Sequence, residues 1–294
     1  MELNLQKTKH PNLKDHEIRY NNLIGLDLQK TELLMTLIMI LNSDLIDGWE
    51  KKHHNKKLPF LKKGLKLNPL IILSGEVGCG KTELALTIGT PLAKMLDKPV
   101  ISLQTPSDIR GVGFVGQLSA RITESFVQAK KEIGTDCGIL IIDEGDDLAS
   151  SRSQMQSHHE DKAGVNVLIK EIDGIEQSKT SLAVILITNR MSSLDPAIVR
   201  RACLHVEFKR PTDSDLQLVF KYILDGTVYS EDEINKLTAF AVQKTVPYSY
   251  SDLLQRVAKQ ALIKSITDDI AFNATTLLQI LEKTEPTPLI LNHD

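Results

Sequence analysis

Five short apolar runs, separated by segments long enough to form helices, occupy the first two thirds of the chain. They cover residues 70–73, 100–103, 139–142, 183–187 and 204–208. The runs at 70–73, 139–142 and 183–187 are continuously apolar, and the other two contain polar residues; taken together the runs predict strands buried on both faces, as in a parallel sheet. We therefore expect an α/β domain over residues 22–210, in which a five-stranded parallel sheet lies between two layers of helices.

The segments on either side of these runs have different patterns. Residues 1–21 are mostly polar and indicate an N-terminal arm, whereas apolar residues recur at helical spacing over residues 22–47 and predict one long amphipathic helix. Beyond Pro211 the pattern predicts four helices, each with Ser, Thr or Asn available as an N-cap, at residues 212–224, 230–243, 249–267 and 273–281. We expect residues 211–294 to form a small all-helical domain.

Composition and charge narrow the classes of function. The 294 residues carry 35 Lys and Arg against 38 Asp and Glu, so the net charge of −3 gives no overall indication of a nucleic-acid or membrane partner. The candidate for a local basic patch is the lysine-rich segment 51–66, for which a solvated loop is the other interpretation. The isolated positions of Cys79, Cys137 and Cys203 favour a reducing, cytoplasmic compartment.

A glycine-rich loop follows the first predicted strand and leads into a predicted helix. It matches the pattern G-x-x-x-x-G-K-[ST] in full. Backbone N–H groups of such a loop and the helix N-terminus bind phosphate; a simple Gly-rich turn is the alternative interpretation. We expect Lys81 to reach the β- and γ-phosphates of ATP and Thr82 to bind Mg²⁺. The predicted nucleotide contacts are Gly75, Glu76, Val77, Gly78, Cys79, Gly80, Lys81, Thr82 and Glu83.

Two carboxylates end the strand predicted at residues 139–142. Asp143 and Glu144 follow this apolar run directly, at the carboxyl end of a strand, where ligands bind in open α/β sheets. Asp143 is expected to complete the Mg²⁺ site and Glu144 to polarise the water that attacks ATP. The alternative is a strand that simply ends in solvent.

These motifs together resemble those of the AAA+ ATPases, and the resemblance extends from about residue 22 onward. Asn189, at the end of the fourth predicted strand, resembles the first sensor of that family, which contacts the γ-phosphate or the lytic water. Arg200 and Arg201 lie in a segment similar to the one that carries the arginine finger, which acts in the site of a neighbouring subunit. The resemblance therefore implies a ring, expected to be a hexamer; a basic helix end is the alternative for this pair.

A second glycine-rich loop, at residues 111–118, resembles the pore loop of AAA+ protein remodelers. Phe114 matches the aromatic residue, Val115 the aliphatic residue and Gly116 the glycine of the loop that grips an extended polypeptide. The resemblance implies that these three residues contact a substrate protein. Local packing of an aromatic side chain is the alternative.

Two further segments resemble the pachytene-checkpoint ATPases, which remodel HORMA-domain proteins. These are residues 143–152 and 162–175, and the sequence Val199-Arg200-Arg201-Ala202 also resembles that subgroup and favours Arg201 as the finger. Bacterial relatives occur in CBASS anti-phage signalling, which makes a HORMA-domain protein the expected partner. The segment 247–254 lacks the second-sensor arginine of that subgroup; the next arginine is Arg256.

The resulting hypothesis is a cytoplasmic, ATP-hydrolysing remodeler that disassembles or unfolds a partner protein. A nucleic-acid-associated AAA+ ATPase of the loader or transposition type is the alternative, and it would use the lysine-rich segment 51–66. A third possibility is a nucleotide-gated switch that hydrolyses ATP slowly and acts by binding.

Overall fold

A single sheet forms the centre of the α/β part of the protein. The computed structural model describes residues 4–54, 58–62, 67–106, 117–145, 159–178 and 180–289. The strands of the sheet are β1 (Gln6–His10), β2 (Leu70–Gly75), β3 (Val100–Gln104), β4 (Cys137–Ile142), β5 (Ser181–Thr188) and β6 (Leu204–Phe208). They lie in the order β1-β3-β4-β5-β2-β6, with β3, β4, β5 and β2 parallel. All five predicted strands are thus confirmed.

The sheet also has a strand that the sequence pattern did not predict. β1 pairs antiparallel with β3, so the sheet has six strands in the described part of the chain and is not purely parallel. The pattern missed β1 because His10 is its one buried residue, whereas an apolar run is the usual sign of a strand. The predicted arm therefore contains a strand of the sheet, followed by the helix His16–Asn21.

The helix expected over residues 22–47 is two helices. Asp27–Leu41 and Ser43–His53 are separated at Asn42, whose backbone (φ −138°, ψ 84°) is not helical. A short helix, Pro59–Lys62, lies in the lysine-rich segment, which is therefore partly helical; residues 55–57 and 63–66 are outside the described part. The remaining helices of the α/β part are Lys81–Thr87, Gly89–Leu96, Gln117–Ile133, His159–Gln177, Pro196–Val199 and the 3₁₀ turn Met191–Ser193.

The helices beyond Phe208 are also as predicted. They are Asp213–Ile223, Glu231–Val242, a π-helical segment Asp252–Val257 that continues as Ala258–Thr267, and Ala274–Lys283. Thr212, Ser230 and Asn273 act as N-caps, because each side chain accepts a backbone N–H of the first helical turn. Among the described residues, no helix has both the length and the apolar character that a membrane span requires.

A buried apolar cluster fixes the strand ends that carry the predicted site. Phe126 of helix Gln117–Ile133 and Leu168 of helix His159–Gln177 pack with Leu140 and Ile142 of β4, all almost fully buried. Such close packing resists displacement of β4 and of the residues that follow it.

The described residues form two compact units. The first contains those of Met1–Asn21, Leu28–Ser74 and Thr82–Glu207, and the second those of Asn22–Asp27, Gly75–Lys81 and Phe208–Asp294. The glycine-rich loop thus belongs to the same unit as the C-terminal helices. The domain boundaries at residues 22 and 210 remain a prediction.

Candidate active site

The glycine-rich loop turns sharply as it leaves β2. Gly75 has φ +125°, and a Cβ there would lie 2.0 Å from the carbonyl oxygen of Phe208 at the end of β6. The backbone N–H of Glu76 donates to that same oxygen at 3.1 Å. The last residue of β2 must therefore be glycine, because any side chain there would collide with the backbone of Phe208.

Lys81 is held against the loop that it follows. Its Nζ donates to the carbonyl oxygens of Gly75 and Glu76, each at 2.7 Å, and the residue is buried. The ammonium group is thus positioned inside the curve of the loop. Cys79 is fully buried, and burial raises the pKa of its thiol to about 11, so the thiol stays protonated at neutral pH.

Thr82 and Asp143 meet across the sheet edge at which β2 and β4 end. The hydroxyl of Thr82 donates to Oδ2 of Asp143 at 2.8 Å. These two residues are 61 positions apart in sequence, and the parallel order β4-β5-β2 brings them together. The pair offers a hydroxyl and a carboxylate oxygen, both of the hard type that Mg²⁺ prefers.

Glu144 has an unusual backbone. Its φ is +56°, in the left-handed region that residues other than glycine rarely adopt, and its N–H donates to Oδ1 of Asp143 at 2.9 Å. The side chain is exposed. A local cost of roughly 1–3 kcal/mol accompanies such a conformation, which is characteristic of functional sites.

Glu83 has a partner that the sequence did not suggest. Its carboxylate forms a two-point ion pair with Arg19, with Nε and Nη2 donating at 2.7 and 2.8 Å. The hydrogen bond to Glu83 is the main cause of the raised pKa of Arg19. Helix His16–Asn21 is thereby fixed to the first turn of the helix that follows the phosphate loop.

The predicted sensor residue directly follows β5, and the two predicted finger residues lie shortly before β6 begins. Asn189 is half-buried and directly follows β5, the strand that pairs with β4. Arg201 donates to both carboxylate oxygens of Asp173, at 2.9 and 3.1 Å, and to the carbonyl of Ala197, whereas Arg200 is exposed and has no ion pair with another described residue. The two arginines therefore differ sharply in how they are held.

The predicted pore loop lies outside the described residues. Phe114, Val115 and Gly116 belong to the segment 107–116, between β3 and helix Gln117–Ile133.

Residues of the C-terminal helical segment contact the glycine-rich loop within the second unit. The N–H of Ser251 donates to the carbonyl of Gly78 at 3.0 Å, and Arg210 forms an ion pair with Glu76 at 3.2 Å. Sequence reasoning missed Arg210 as well as Arg19, because a single arginine outside a motif gives no indication of a distant partner. Arg256, the next arginine after the segment 247–254, pairs with Asp252 at 2.6 Å.

A phosphate-binding loop between a central strand and a helix, with Thr82 bonded to a carboxylate two strands away, defines a P-loop nucleoside triphosphatase. The model of the ATPase family associated with various cellular activities (AAA) matches residues 71–211. Over 303 residues the chain is 33% identical to the CD-NTase-associated protein 6 of Escherichia coli (strain MS 115-1), covering 99% of this chain and 97% of that protein. The chain belongs to the AAA ATPase family, and it binds and hydrolyses ATP.

A further relative and two solved structures are also similar to this chain. The proteasome-associated ATPase of Rhodococcus erythropolis (strain PR4 / NBRC 100887) is 30% identical over 199 residues, 60% of this chain and 33% of that protein. One chain of the E. coli MS115-1 HORMA:CdnC:Trip13 complex superimposes with a TM-score of 0.91 at 32% identity, over 99% of this chain and 98% of that one. The structure of Rhizobiales Trip13 gives a TM-score of 0.74 at 31% identity, over 96% and 98%.

Proposed function

We propose that this ATPase is a remodeler of a HORMA-domain protein complex in anti-phage signalling. The observation that carries the proposal is the TM-score of 0.91 over nearly the whole length of both chains, with a structure that contains HORMA and CdnC together with Trip13. The likeness includes the C-terminal helical part as well as the ATPase core, so it concerns the whole described chain and not only a shared nucleotide site.

The proposed Mg²⁺ ligands are Thr82 and Asp143. Their oxygen atoms are 2.8 Å apart and are of the type that a hard divalent cation prefers, so the residues present fit the ion. When bound, Mg²⁺ neutralises charge on the β- and γ-phosphates. Lys81 binds the same phosphates by exchanging its bonds to the carbonyls of Gly75 and Glu76 for bonds to phosphate oxygens.

Glu144 and Asn189 are proposed to act on the attacking water. Glu144 follows the Mg²⁺ ligand directly, and its exposed carboxylate can accept the proton of a water that approaches the γ-phosphate. Asn189 lies at the same edge of the sheet, one strand away, where its amide can orient that water or the γ-phosphate. Both roles are those implied by the AAA resemblance.

An arginine finger supplied by a neighbouring subunit would complete each site. We propose a hexameric ring in which Arg200 or Arg201 enters the adjacent nucleotide site, and in which Phe114, Val115 and Gly116 grip the partner protein. Arg200 is free to reach outward, whereas Arg201 is held in a fixed direction by Asp173. A cytoplasmic location fits the free thiols of Cys79, Cys137 and Cys203.

The test uses Glu144→Gln, which removes the carboxylate that accepts the proton but keeps the size of the side chain. ATP binding should be retained because Lys81, Thr82 and Asp143 are unchanged, whereas kcat should fall by about 10²-fold or more. Incubated with ATP and a HORMA-domain protein from the same genome, the variant should form a stable complex that survives gel filtration.

Adding Phe114→Ala to the Glu144→Gln variant separates ATP binding from the grip on the partner protein. It should leave nucleotide binding as in the parent and abolish the stable complex. Wild-type turnover by Glu144→Gln would contradict the assigned role of Glu144. A trapped complex with DNA in place of the HORMA-domain protein would favour the nucleic-acid-associated alternative.

A further inference from the structure

The last described residues of the chain form an extended segment without regular structure that is fastened by side chains. We call residues 284–288, after helix Ala274–Lys283, the C-terminal strap. Tyr248 donates its hydroxyl hydrogen to the carbonyl of Thr284 at 2.6 Å, and Lys244 forms an ion pair with Glu285 at 2.8 Å. Burial raises the pKa of Tyr248 to about 12, so this hydroxyl remains a donor at physiological pH.

A buried carboxylate holds the middle of the C-terminal strap. Asp252, whose side chain is 1% exposed, accepts the N–H of Thr287 at 3.1 Å, its hydroxyl at 2.5 Å, and a guanidinium N–H of Arg256 at 2.6 Å. Burial alone would raise the pKa of Asp252, but these bonds and those from Ser249 outweigh it and lower the pKa to about 2. The carboxylate is therefore charged throughout the physiological range.

A buried guanidinium joins the C-terminal strap to the phosphate loop. The side chain of Arg210 is 5% exposed. Its Nη1 donates to the carbonyls of Pro247 and Thr287, and its Nη2 to the carbonyl of Pro288 at 3.0 Å and to Oε2 of Glu76 at 3.2 Å. Two of these four acceptors belong to the strap, and the fourth is the second residue of the phosphate loop.

Charge explains why Arg210 bonds to Glu76 of the phosphate loop. Arginine cannot lose its proton in a protein, so a buried guanidinium needs a compensating charge. Glu76 is the only carboxylate among the described residues that forms an ion pair with Arg210. The carbonyl oxygen of Glu76 in turn accepts the ammonium of Lys81 at 2.7 Å. A displacement of Arg210 would therefore move the loop backbone to which the phosphate-binding lysine is bonded.

We propose that Arg210 is a positioning residue for the ATP site, through which the docked C-terminal strap holds Glu76 and the phosphate loop in the shape that binds nucleotide. The inference rests on the proposed nucleotide site and adds a control element to it. A packing role confined to the helices would need no carboxylate from the phosphate loop. Loss of the bond between Arg210 and Glu76 lowers the affinity for ATP, whereas loss of a strap contact that does not involve Arg210 leaves it unchanged.

The test titrates a fluorescent ATP analogue into the full-length protein and two variants. Glu76→Gln removes the charge of the loop partner and leaves the C-terminal strap contacts intact, whereas Arg210→Lys keeps the charge but replaces a planar fork of five donors with three. We expect each to raise Kd about tenfold, equivalent to about 1.4 kcal/mol. The double variant should bind about as weakly as the weaker single variant, because both break one link.

Two controls separate this link from other effects. Lys244→Ala removes the ion pair with Glu285 on the same strap but touches no residue of the loop, so its Kd should stay within about twofold of wild type. Lys81→Ala tests the nucleotide site itself and should lose binding.

Unchanged affinity in both Glu76→Gln and Arg210→Lys would overturn the inference. An equal loss in Lys244→Ala would do the same, because general loosening of the helices would then suffice. Additive losses in the double variant would mean that Glu76 and Arg210 affect the nucleotide separately, which also contradicts the link. Failure of the proposed nucleotide site has a different signature: Lys81→Ala would bind ATP like wild type.

Discussion

The imidazole of His10 is 1% exposed and lies between two hydroxyl groups. Nδ1 is 2.9 Å from Oγ1 of Thr90 and Nε2 is 3.1 Å from Oγ of Ser102, so both ring nitrogens have neutral partners. Burial, with a smaller contribution from the charge of His16, lowers the pKa of His10 to about 4. This side chain fixes β1 to the sheet only while it is neutral.

The stability of the protein should therefore fall in mild acid. The pKa of His10 is 6.5 in the unfolded chain and about 4 in the folded one, so its contribution is complete above pH 6.5 and is lost as the pH falls toward 4. Between pH 7.5 and 5 the loss is about 2 kcal/mol. Urea unfolding at the two pH values measures it.

His10→Asn should remove this part of the pH dependence, since asparagine does not titrate. The exposed His54 offers a matched control, and His54→Asn should keep the wild-type pH dependence. Equal pH dependence in wild type and His10→Asn would exclude His10 as the group responsible.

For individual residues, the sequence predicted contacts that belong to a motif and missed those that do not. Thr82 and Asp143 were expected to share one site, and their oxygens are 2.8 Å apart. Arg19 and Arg210 were not expected near the glycine-rich loop. Arg210 forms an ion pair with Glu76 of that loop, and Arg19 forms one with Glu83, just after it. Glu76, the ion-pair partner of Arg210, is 134 positions away along the chain, and no local periodicity reports a contact over such a distance.

Among the elements, the helix Glu231–Val242 has a complete capping box. Ser230 accepts the N–H of Glu233 at 3.3 Å, and the carboxylate of Glu233 accepts the N–H of Ser230 at 2.8 Å. These bonds satisfy two N–H groups that have no partner within the helix.

Ser230→Ala should destabilise the protein by about 1 kcal/mol, because the N-cap oxygen is lost. Ser230→Asn retains an acceptor and should cost much less. The measurement is the urea midpoint of the two variants and wild type; a midpoint of Ser230→Ala equal to that of wild type would show that the cap contributes nothing.

β1 is the element whose removal should affect the sheet most directly. It covers the edge of β3 over five residue pairs, from Gln6↔Gln104 to His10↔Val100. Deletion of residues 1–11 exposes that edge, and an unpaired edge strand invites association with other chains. Light scattering should detect assemblies larger than those of wild type that increase with concentration.

Lys7→Ala is the control for the deletion. It breaks the exposed ion pair with Glu132 but leaves the strand in place, so the size distribution should match wild type. A deleted chain that also matches wild type would show that β1 is not needed to protect the edge.

The elements show where sequence patterns succeed and where they fail. β2, β4 and β5 were predicted correctly because strands buried on both faces are continuously apolar, whereas β6 alternates apolar residues with the exposed His205 and Glu207. β1 lies at the edge and buries one residue, so it carries no such signal. The apolar spacing across Asn42 continues from Leu41 to Leu45, which is why the interruption between the two helices could not be read from it.

At the scale of the whole molecule, the proposed finger makes hydrolysis depend on a neighbouring copy. Arg200→Ala and Arg201→Ala should therefore be compared in mixtures with Lys81→Ala, which lacks its own site but retains both arginines. Replacing the arginine that acts in trans in every copy should lower kcat by roughly 10³-fold or more.

Mixing should restore part of the activity only for the variant that lacks the acting finger, since Lys81→Ala supplies that arginine to intact sites. Arg201→Ala also breaks the two-point bond with Asp173, so Asp173→Asn serves as its structural control. Full activity of both arginine variants alone would contradict a finger in this segment.

The pairing of β1 with β3 has a consequence for synthesis on the ribosome. The paired residues are separated by 90 to 98 positions (100 − 10 and 104 − 6), so β1 is translated long before its partner. At about 5–20 residues per second, the nascent strand waits roughly 5–20 s for β3. Lys7 and Lys9 make the waiting segment a poor template for pairing with other chains, so the polar character that hid β1 from the sequence pattern also protects it during translation.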